Sequence, residues 1–136
     1  MKTLIIALRT VVNADATMRT LCGRNDKLIY AWRASHKATI PVVLYAIVSD
    51  GEKGNAGNYR EVVLQLSSLA DGDGAVAKVF DMEDRLRALL TQAAFAAQGC
   101  DAAPILRQAR EVDEDGDVKL LRLARRDLDL TLTIKL

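Results

Sequence analysis

The stretch that decides the fold is PVVLYAIVSDGEKGNAGNYREVVLQLSS, residues 41–68. Its first part, VVLYAIVS, is apolar at consecutive positions, which is typical of a central strand covered from both sides or by a neighbouring subunit. Its last part alternates, so Val62, Leu64 and Leu66 are predicted to face a core, while the residues between them form an outer face free for a partner. Two strands joined by a glycine-rich loop are therefore predicted.

The connecting loop, residues 49–60, matches two phosphate-binding patterns only in part. Gly54-Asn55-Ala56-Gly57 has the GXXG spacing of KH domains, but that motif needs a helix on each side and the flanks here are strand-like. In a Walker loop the lysine follows the last glycine, whereas Lys53 precedes the tetrad. We interpret the segment as a mobile strand-to-strand loop, rich in residues that tolerate positive φ.

Amphipathic patterns before these strands predict two helices and a short strand. Apolar residues at helical spacing predict a first helix that ends near Asn13, and Asp15 is placed to cap a second helix that Gly23 ends. The segment KLIYAWR, residues 27–33, predicts a short strand.

The longest helix is predicted after the strands, and either Asp71 or Asp73 is placed to cap it. Pairs at i and i+4, Asp81 with Arg85 and Glu83 with Arg87, are expected on its solvent side. Its predicted apolar stripe consists of Val76, Val79, Met82, Leu86, Leu89, Leu90 and Ala93.

The last part of the chain predicts a break, a hairpin and a long strand. Gly99 and Pro104 bracket the break, and Asp115-Gly116 is a strong hairpin signal. The final strand changes phase, because its apolar residues have odd numbers at first and even numbers afterwards. We therefore expect a bulge within Ala124 to Asp127. The residues that show the change are Leu121 and Leu123, then Leu128, Leu130, Leu132 and Ile134.

Composition favours one domain, residues 1–136, with a substantial core, because 50% of the residues are hydrophobic. The predicted class is α+β: a mixed, mainly antiparallel sheet of four to five strands packed by an N-terminal helix and one long amphipathic helix. The formal charge is +1, but residues 1–40 carry seven Lys or Arg against two acids, which leaves −4 for the rest. Oppositely charged surfaces of this kind favour self-assembly.

Catalytic and metal chemistry has little support in the sequence. Cys22 and Cys100 are far apart and lack CxxC spacing, and the single histidine, His36, has no nucleophile motif nearby. The run around Asp115 begins like an EF-hand, but Val118 replaces the required glycine. We predict no enzyme activity, no cofactor and no metal.

The sequence pattern of the first residues does not predict a targeting segment. MKTLIIALRTVV begins like a signal peptide, but Arg9 interrupts the apolar run and no small-residue cleavage site follows. No apolar stretch is long enough to span a bilayer. A soluble protein without a membrane partner is expected.

The order of these elements resembles the tail completion or tail terminator proteins of long-tailed bacteriophages. The resemblance spans nearly the whole chain. It rests on a helix, LCG at residues 21–23, KLIY at 27–30, IPVVLYAIVSD at 40–50, the glycine-rich loop, VVLQLSS, a helix ending in RLRALL, and the DEDGD hairpin before an alternating strand.

The resemblance implies a structural virion protein, assembled in the host bacterial cytoplasm, that forms a hexameric ring at the head-proximal end of the tail tube. Such a ring ends tube growth and joins the tail to the head connector or stopper protein. DNA passes through it without specific binding. The segment from Gly51 to Asn58 is then a candidate docking loop, with Gly51, Glu52, Lys53, Gly54, Asn55, Gly57 and Asn58 as candidate interface residues.

A second candidate group is basic. Arg122, Arg125 and Arg126 decorate the last strand and are either an interface charge cluster or a solvated strand edge. Three other functions stay open: another neck or tail-tube component, a small nucleic-acid-binding module built on the basic first 40 residues, or a small hydrolase.

Overall fold

The computed structural model describes residues 1–53, 59–106, 110–111 and 123–135. The helices in this part of the chain are α1 (Lys2–Ala14), α2 (Ala16–Cys22), a 3₁₀ helix (Trp32–Lys37), α3 (Ala75–Leu89) and α4 (Gln92–Ala97). The strands are β1 (Ile29–Ala31), β2 (Val42–Lys53), β3 (Tyr59–Ala70), β4 (Ala102–Leu106), β5 (Arg110–Glu111) and β6 (Ala124–Lys135). The DEDGD hairpin and Leu121 lie outside the described residues.

The strands form one mixed sheet in the order β1-β2-β3-β6-β4, and the two-residue β5 also pairs with β6. The β1–β2 pair is parallel, and the other described pairs are antiparallel. The predicted α+β class with a mainly antiparallel sheet is confirmed. β3 lies at the centre of the sheet, so β2, predicted to be central, is one position further out.

One face of the sheet, which we call the helical face, packs against the helices. Even-numbered residues of β3 and β6 point to this face, as the alternation predicts, and meet α1 and α3. The largest fully buried side chains of this core include Leu8, Leu64, Met82, Leu86, Phe95 and Leu130. Helices α1 to α4 thus cover this face of the sheet. Other parts of the chain pack on the opposite face.

The opposite face, which we call the open face, carries a smaller apolar cluster. Val42, Leu44 and Leu69 are buried there, with Leu123 packed against them. The outer face of β3 was predicted to be free, but Leu69 and also Ser67 are buried. The prediction is wrong at this end of the strand, because the segment after β1 folds over it.

The phase change of the last strand has a different cause from the predicted one. β6 pairs with β3 without a register shift from Ala124 to Lys135, so no bulge lies between Ala124 and Asp127. Leu123 is odd-numbered because it packs on the open face, whereas Leu128 packs on the helical face. The irregularity of the sheet lies instead in β2, between Ile47 and Ser49.

The predicted helix ends are confirmed for α2 and wrong for α3. The Asp15 carboxylate accepts a hydrogen bond from the Met18 amide at 2.9 Å, and Gly23 ends α2 at φ 66°. α3 begins after Gly74, which has φ 76° and provides no side-chain cap. Gly72 and Gly74 make a tight turn there, so neither Asp71 nor Asp73 occupies the capping position.

The stripe of α3 is narrower than predicted. Val79, Met82, Leu86 and Leu90 are buried, but Val76 is 52% exposed, because in the first turn Ala75 is the residue that packs against the sheet. Ala93 belongs to α4 and is exposed.

The two expected ion pairs of α3 also differ from the prediction. Arg85 reaches α2 and pairs with Asp15 over 2.6 Å, in place of Asp81. Arg87 does pair with Glu83 over 2.5 Å, but Glu83 is buried on the sheet side and not on the solvent side.

The boundaries of two shorter elements differ from the predicted ones. β1 ends at Ala31, because the chain turns into the 3₁₀ helix at Trp32, so the strand predicted over residues 27–33 is shorter. Pro104, predicted to mark a break, lies inside β4. A proline is tolerated there because β4 is an edge strand whose N–H groups are not all needed for pairing.

Candidate assembly interface

The sequence-predicted interface residues lie at the two ends of the central strands. Gly51, Glu52 and Lys53 form the end of β2, where Lys53 pairs with Tyr59 and Tyr59 with Lys135. Gly54, Asn55, Gly57, Asn58 and Arg122 lie outside the described residues.

Arg125 and Arg126 lie at the opposite end of the sheet, where Arg125 pairs with Leu69. The two candidate groups are therefore separated by the length of β3. Because consecutive residues of a strand point to opposite faces, the two arginines also enter different environments.

Arg126 enters a buried cluster on the helical face. Its Nε donates to Glu83 Oε2 at 2.7 Å, and Arg87 Nε donates to the other oxygen at 2.5 Å. The Arg126 guanidinium also lies 3.9 Å from the centre of the Phe80 ring. Arg126 thus ties β6 to α3, which is a structural role in the subunit.

The Glu83 carboxylate is ionised in this cluster. Burial alone would raise its pKa, but the hydrogen bonds from Arg87 and Arg126 outweigh burial and hold the pKa of Glu83 below its usual value. Asp15 behaves alike: the hydrogen bond from Arg85 lowers its pKa against the effect of burial. Both carboxylates stabilise the fold in their charged form.

These depressed pKa values predict a loss of stability in acid. A carboxylate whose pKa is lower in the folded than in the unfolded state stabilises fully above its unfolded pKa, about 4 for Asp and Glu. That contribution disappears as the pH falls through the lower folded pKa. We expect Glu83→Gln to reduce stability by about 1–2 kcal/mol at pH 7, and the difference from the parent to shrink below about pH 4.

Urea unfolding at pH 7 and at pH 3 measures this effect. Asp84→Asn is the matched control, because Asp84 is exposed on the same helix and the change removes a charge without breaking the cluster. A difference between Glu83→Gln and the parent that is equally large at both pH values would contradict the assigned role of the charge.

Arg125 enters a polar cluster on the open face. Its Nε donates to Asp127 Oδ1 at 3.0 Å, and its guanidinium lies 4.6 Å from the centre of the Trp32 ring. Asp127 is buried and also accepts hydrogen bonds from Ser67 at 2.7 Å and Gln65 at 3.0 Å. The cluster holds the 3₁₀ helix, through Trp32, against the open face.

A concave surface lies at the β1–β2 end of the sheet, and we call it the edge groove. It has a volume of about 750 Å³ and runs between α1, the end of β1 and β2. Its apolar lining includes Ile5, Ile6, Ala31, Trp32 and Ile47, and its basic side chains are Lys2, Arg9 and Arg33. A basic rim around an apolar floor suits an acidic, partly apolar partner.

The groove continues onto an exposed apolar strand segment. Ile6, Trp32 and Ile47 are exposed, and Val48, at the β2 bulge, is 60% exposed. Contiguous exposed apolar patches often mark interaction sites. The tyrosine hydroxyl of Tyr45 accepts a hydrogen bond from Arg9 at 2.7 Å, which fixes the inner wall.

The sequence interpretation placed Ile47 and Val48 in a strand covered from both sides or by a neighbouring subunit. Within the subunit, Tyr45 is the last residue of the buried run in β2. That a neighbouring subunit covers Ile47 and Val48 stays a prediction. The edge groove itself was missed, because its walls come from α1 and β2, which are far apart in the sequence. The signal for this surface in the sequence is the apolar run VVLYAIV, residues 42–48, which extends beyond the part of β2 that the subunit itself buries.

Catalytic geometry is lacking in the described part of the chain. His36 is exposed in the 3₁₀ helix, and Cys22 and Cys100 are buried free thiols whose pKa values are raised by burial. Among residues 1–53, 59–106, 110–111 and 123–135, no group of His, Cys, Asp and Glu side chains is arranged to hold a metal ion. The helices of this part include none with the length and apolarity needed to cross a membrane.

The fold is shared with a chain from the virion of a native gene transfer agent (GTA) particle. The TM-score is 0.70, the sequence identity is 13%, and the alignment covers 97% of this chain and 94% of that chain. No protein-family model matches the sequence, and no curated protein matches it. At this level of identity the likeness shows a common fold over the full length.

Proposed function

We propose that this protein is a structural component of a virion. The observation that carries the proposal is the full-length fold likeness to a chain of the gene transfer agent virion, a phage-like particle. The sheet and helices match across 97% of this chain, so the likeness is not limited to one common motif. The lack of catalytic geometry among the described residues agrees with a structural role.

Within the virion we propose the role of tail terminator. Copies of the chain form a hexameric ring at the head-proximal end of the tail tube, stop tube growth and join the tail to the head connector. The order of elements in the sequence supports this role, because it resembles that family from α1 to β6. The edge groove and the exposed end of β2 provide surface for contacts between copies and with other virion proteins.

Tube assembly with and without the protein tests the proposal. We expect the purified chain to form rings that native mass spectrometry and electron microscopy detect, and its addition to cognate tube protein to give tubes of limited length. A chain that stays monomeric with tube protein present and leaves the tube length unchanged would contradict the terminator role. Limited tubes that fail to bind heads would separate termination from head joining.

A further inference from the structure

Two edges of the sheet are open to a further strand in the described structure. β1 pairs with β2 only at Val43 to Tyr45, so the described structure leaves the β1-side edge of β2 unpaired from Ala46 to Lys53. At the other end of the sheet, β4 pairs with β6 on one side and, within the described residues, with no strand on the other. Unpaired edges offer rows of N–H and C=O groups to another strand.

The two free edges lie at the same height in the sheet. Two rows of paired residues cross the sheet from one edge to the other: Ile47, Leu64, Leu130 and Leu106 form the first row, and Glu52, Arg60, Ile134 and Ala102 form the second. A second copy of the subunit, rotated about an axis parallel to the strands, would therefore bring its β4 beside β2 of the first copy without a shift along that axis. A head-to-tail contact without an axial shift closes into a ring when the rotation between copies divides the full circle, whereas a shifted contact gives a helix.

The strand directions also fit. β2, β3, β6 and β4 alternate in direction, because each neighbouring pair is antiparallel. β2 and β4 therefore run in opposite directions, and such a rotation places β4 of one copy antiparallel to β2 of the next. Antiparallel addition of a strand to a free edge is a common mode of recognition.

The hydrogen-bonding groups of β4 favour β2 as its partner over a second β4. The carbonyl of Asp101 accepts a hydrogen bond from the Lys135 amide, so Asp101 faces β6, and the alternation of the strand turns Ala102, Pro104 and Leu106 outward. Pro104 has no N–H, and the amide of Ala102 already donates to the carbonyl of Cys100. The outer edge of β4 therefore presents mainly acceptors, which a strand with free N–H groups satisfies.

Charge supports the same pairing. The β2 edge lies beside the basic edge groove with Lys2, Arg9 and Arg33. The β4 side begins with the exposed Asp101. The backbone of Glu111 pairs with β6 on this same side of the sheet. Oppositely charged ends favour head-to-tail contacts between identical copies.

We infer that the ring is built by sheet extension, in which β4 of one copy adds antiparallel to the free edge of β2 in the next copy, beside the edge groove. The inference rests on the proposed function in one respect, the association of copies into a ring. It adds the surfaces that meet, their direction and their register. Val48 and Ile105, which are 60% and 61% exposed, are then neighbours across the contact.

Cross-linking between two variants that each add one exposed cysteine tests the inference. Chains with Val48→Cys and chains with Ile105→Cys are mixed and treated with a short bis-maleimide reagent. We expect a covalent dimer in the mixture and none with either variant alone, because the contact joins different surfaces. The parent chain is the first control, since Cys22 and Cys100 are buried. Val76→Cys mixed with Ile105→Cys is the second, because Val76 is exposed away from both edges.

The outcomes separate this inference from the proposed function. A ring by native mass spectrometry without the mixed dimer would overturn sheet extension and leave the terminator role standing. Dimers of Val48→Cys with itself would show a two-fold contact and would also overturn it. A monomer at every concentration overturns the inference too, and the tube-length experiment then decides the terminator role independently.

Discussion

Leu86→Asp is expected to unfold the subunit. Leu86 is fully buried in the core between α3 and the helical face, where it packs among the side chains of β3 and β6. An aspartate at this position loses the apolar contacts and leaves a carboxylate without a partner in the core. The expected loss is more than about 4 kcal/mol, which is a large part of the roughly 5–15 kcal/mol that stabilises a typical domain.

Circular dichroism and thermal melting measure this loss. The matched control is Val76→Asp on the same helix, which introduces the same charge at a position that is 52% exposed. Its melting temperature is expected to stay close to that of the parent. If Leu86→Asp melted like the parent, or if both variants lost equal stability, the orientation assigned to α3 would be wrong.

Replacing the loop between β2 and β3 is expected to abolish tail joining while the subunit stays folded. Lys53 and Tyr59 are paired at the end of the two strands, so the five residues 54–58 connect a closed pair. Asn-Gly in their place is a favoured two-residue hairpin connection. Closing a shorter loop costs less entropy, so we expect stability within about 1 kcal/mol of the parent.

The functional effect follows from the proposed docking role of Gly51 to Asn58. Without residues 54–58 of this segment, assembled particles should show unjoined heads and tails, or tubes of uncontrolled length, in electron micrographs. A loop of the same length made of glycine and serine is the control that separates length from chemistry. Normal joined tails with the Asn-Gly variant, together with unchanged calorimetry, would show that the segment is a passive connector.

Local signals in the sequence predicted much of the fold correctly. Asp15 and Gly23 fix the ends of α2 through a side-chain cap and a left-handed residue, which depend on neighbouring backbone alone. The alternation of Val62, Leu64 and Leu66 identified the core side of β3 for the same reason. The class and the main helix followed from such local patterns.

The errors concern features that depend on distant parts of the chain. Arg85 pairs with Asp15, 70 positions away, although Asp81 has the right helical spacing. Leu123 broke the alternation because a second apolar cluster covers the open face, which no local pattern reveals. The edge groove was missed likewise, since α1 and β2 meet only in the folded subunit. Arg125 and Arg126 were grouped by sequence although the strand turns them to opposite faces.

The position of β6 between β3 and β4 has a consequence for the timing of biosynthesis. β3 and β6 pair residues 54 positions apart at one end (Ala70 with Ala124) and 76 apart at the other (Tyr59 with Lys135). Such long-range pairs close late, because a large loop must first be ordered. During translation β6 is made after the other described strands. β3 and β4 are therefore synthesised before the strand that pairs with both of them. The middle of the sheet therefore closes last, and β4 joins the sheet only through β6, so until β6 is made β3 has an unpaired edge of the kind to which other strands can add.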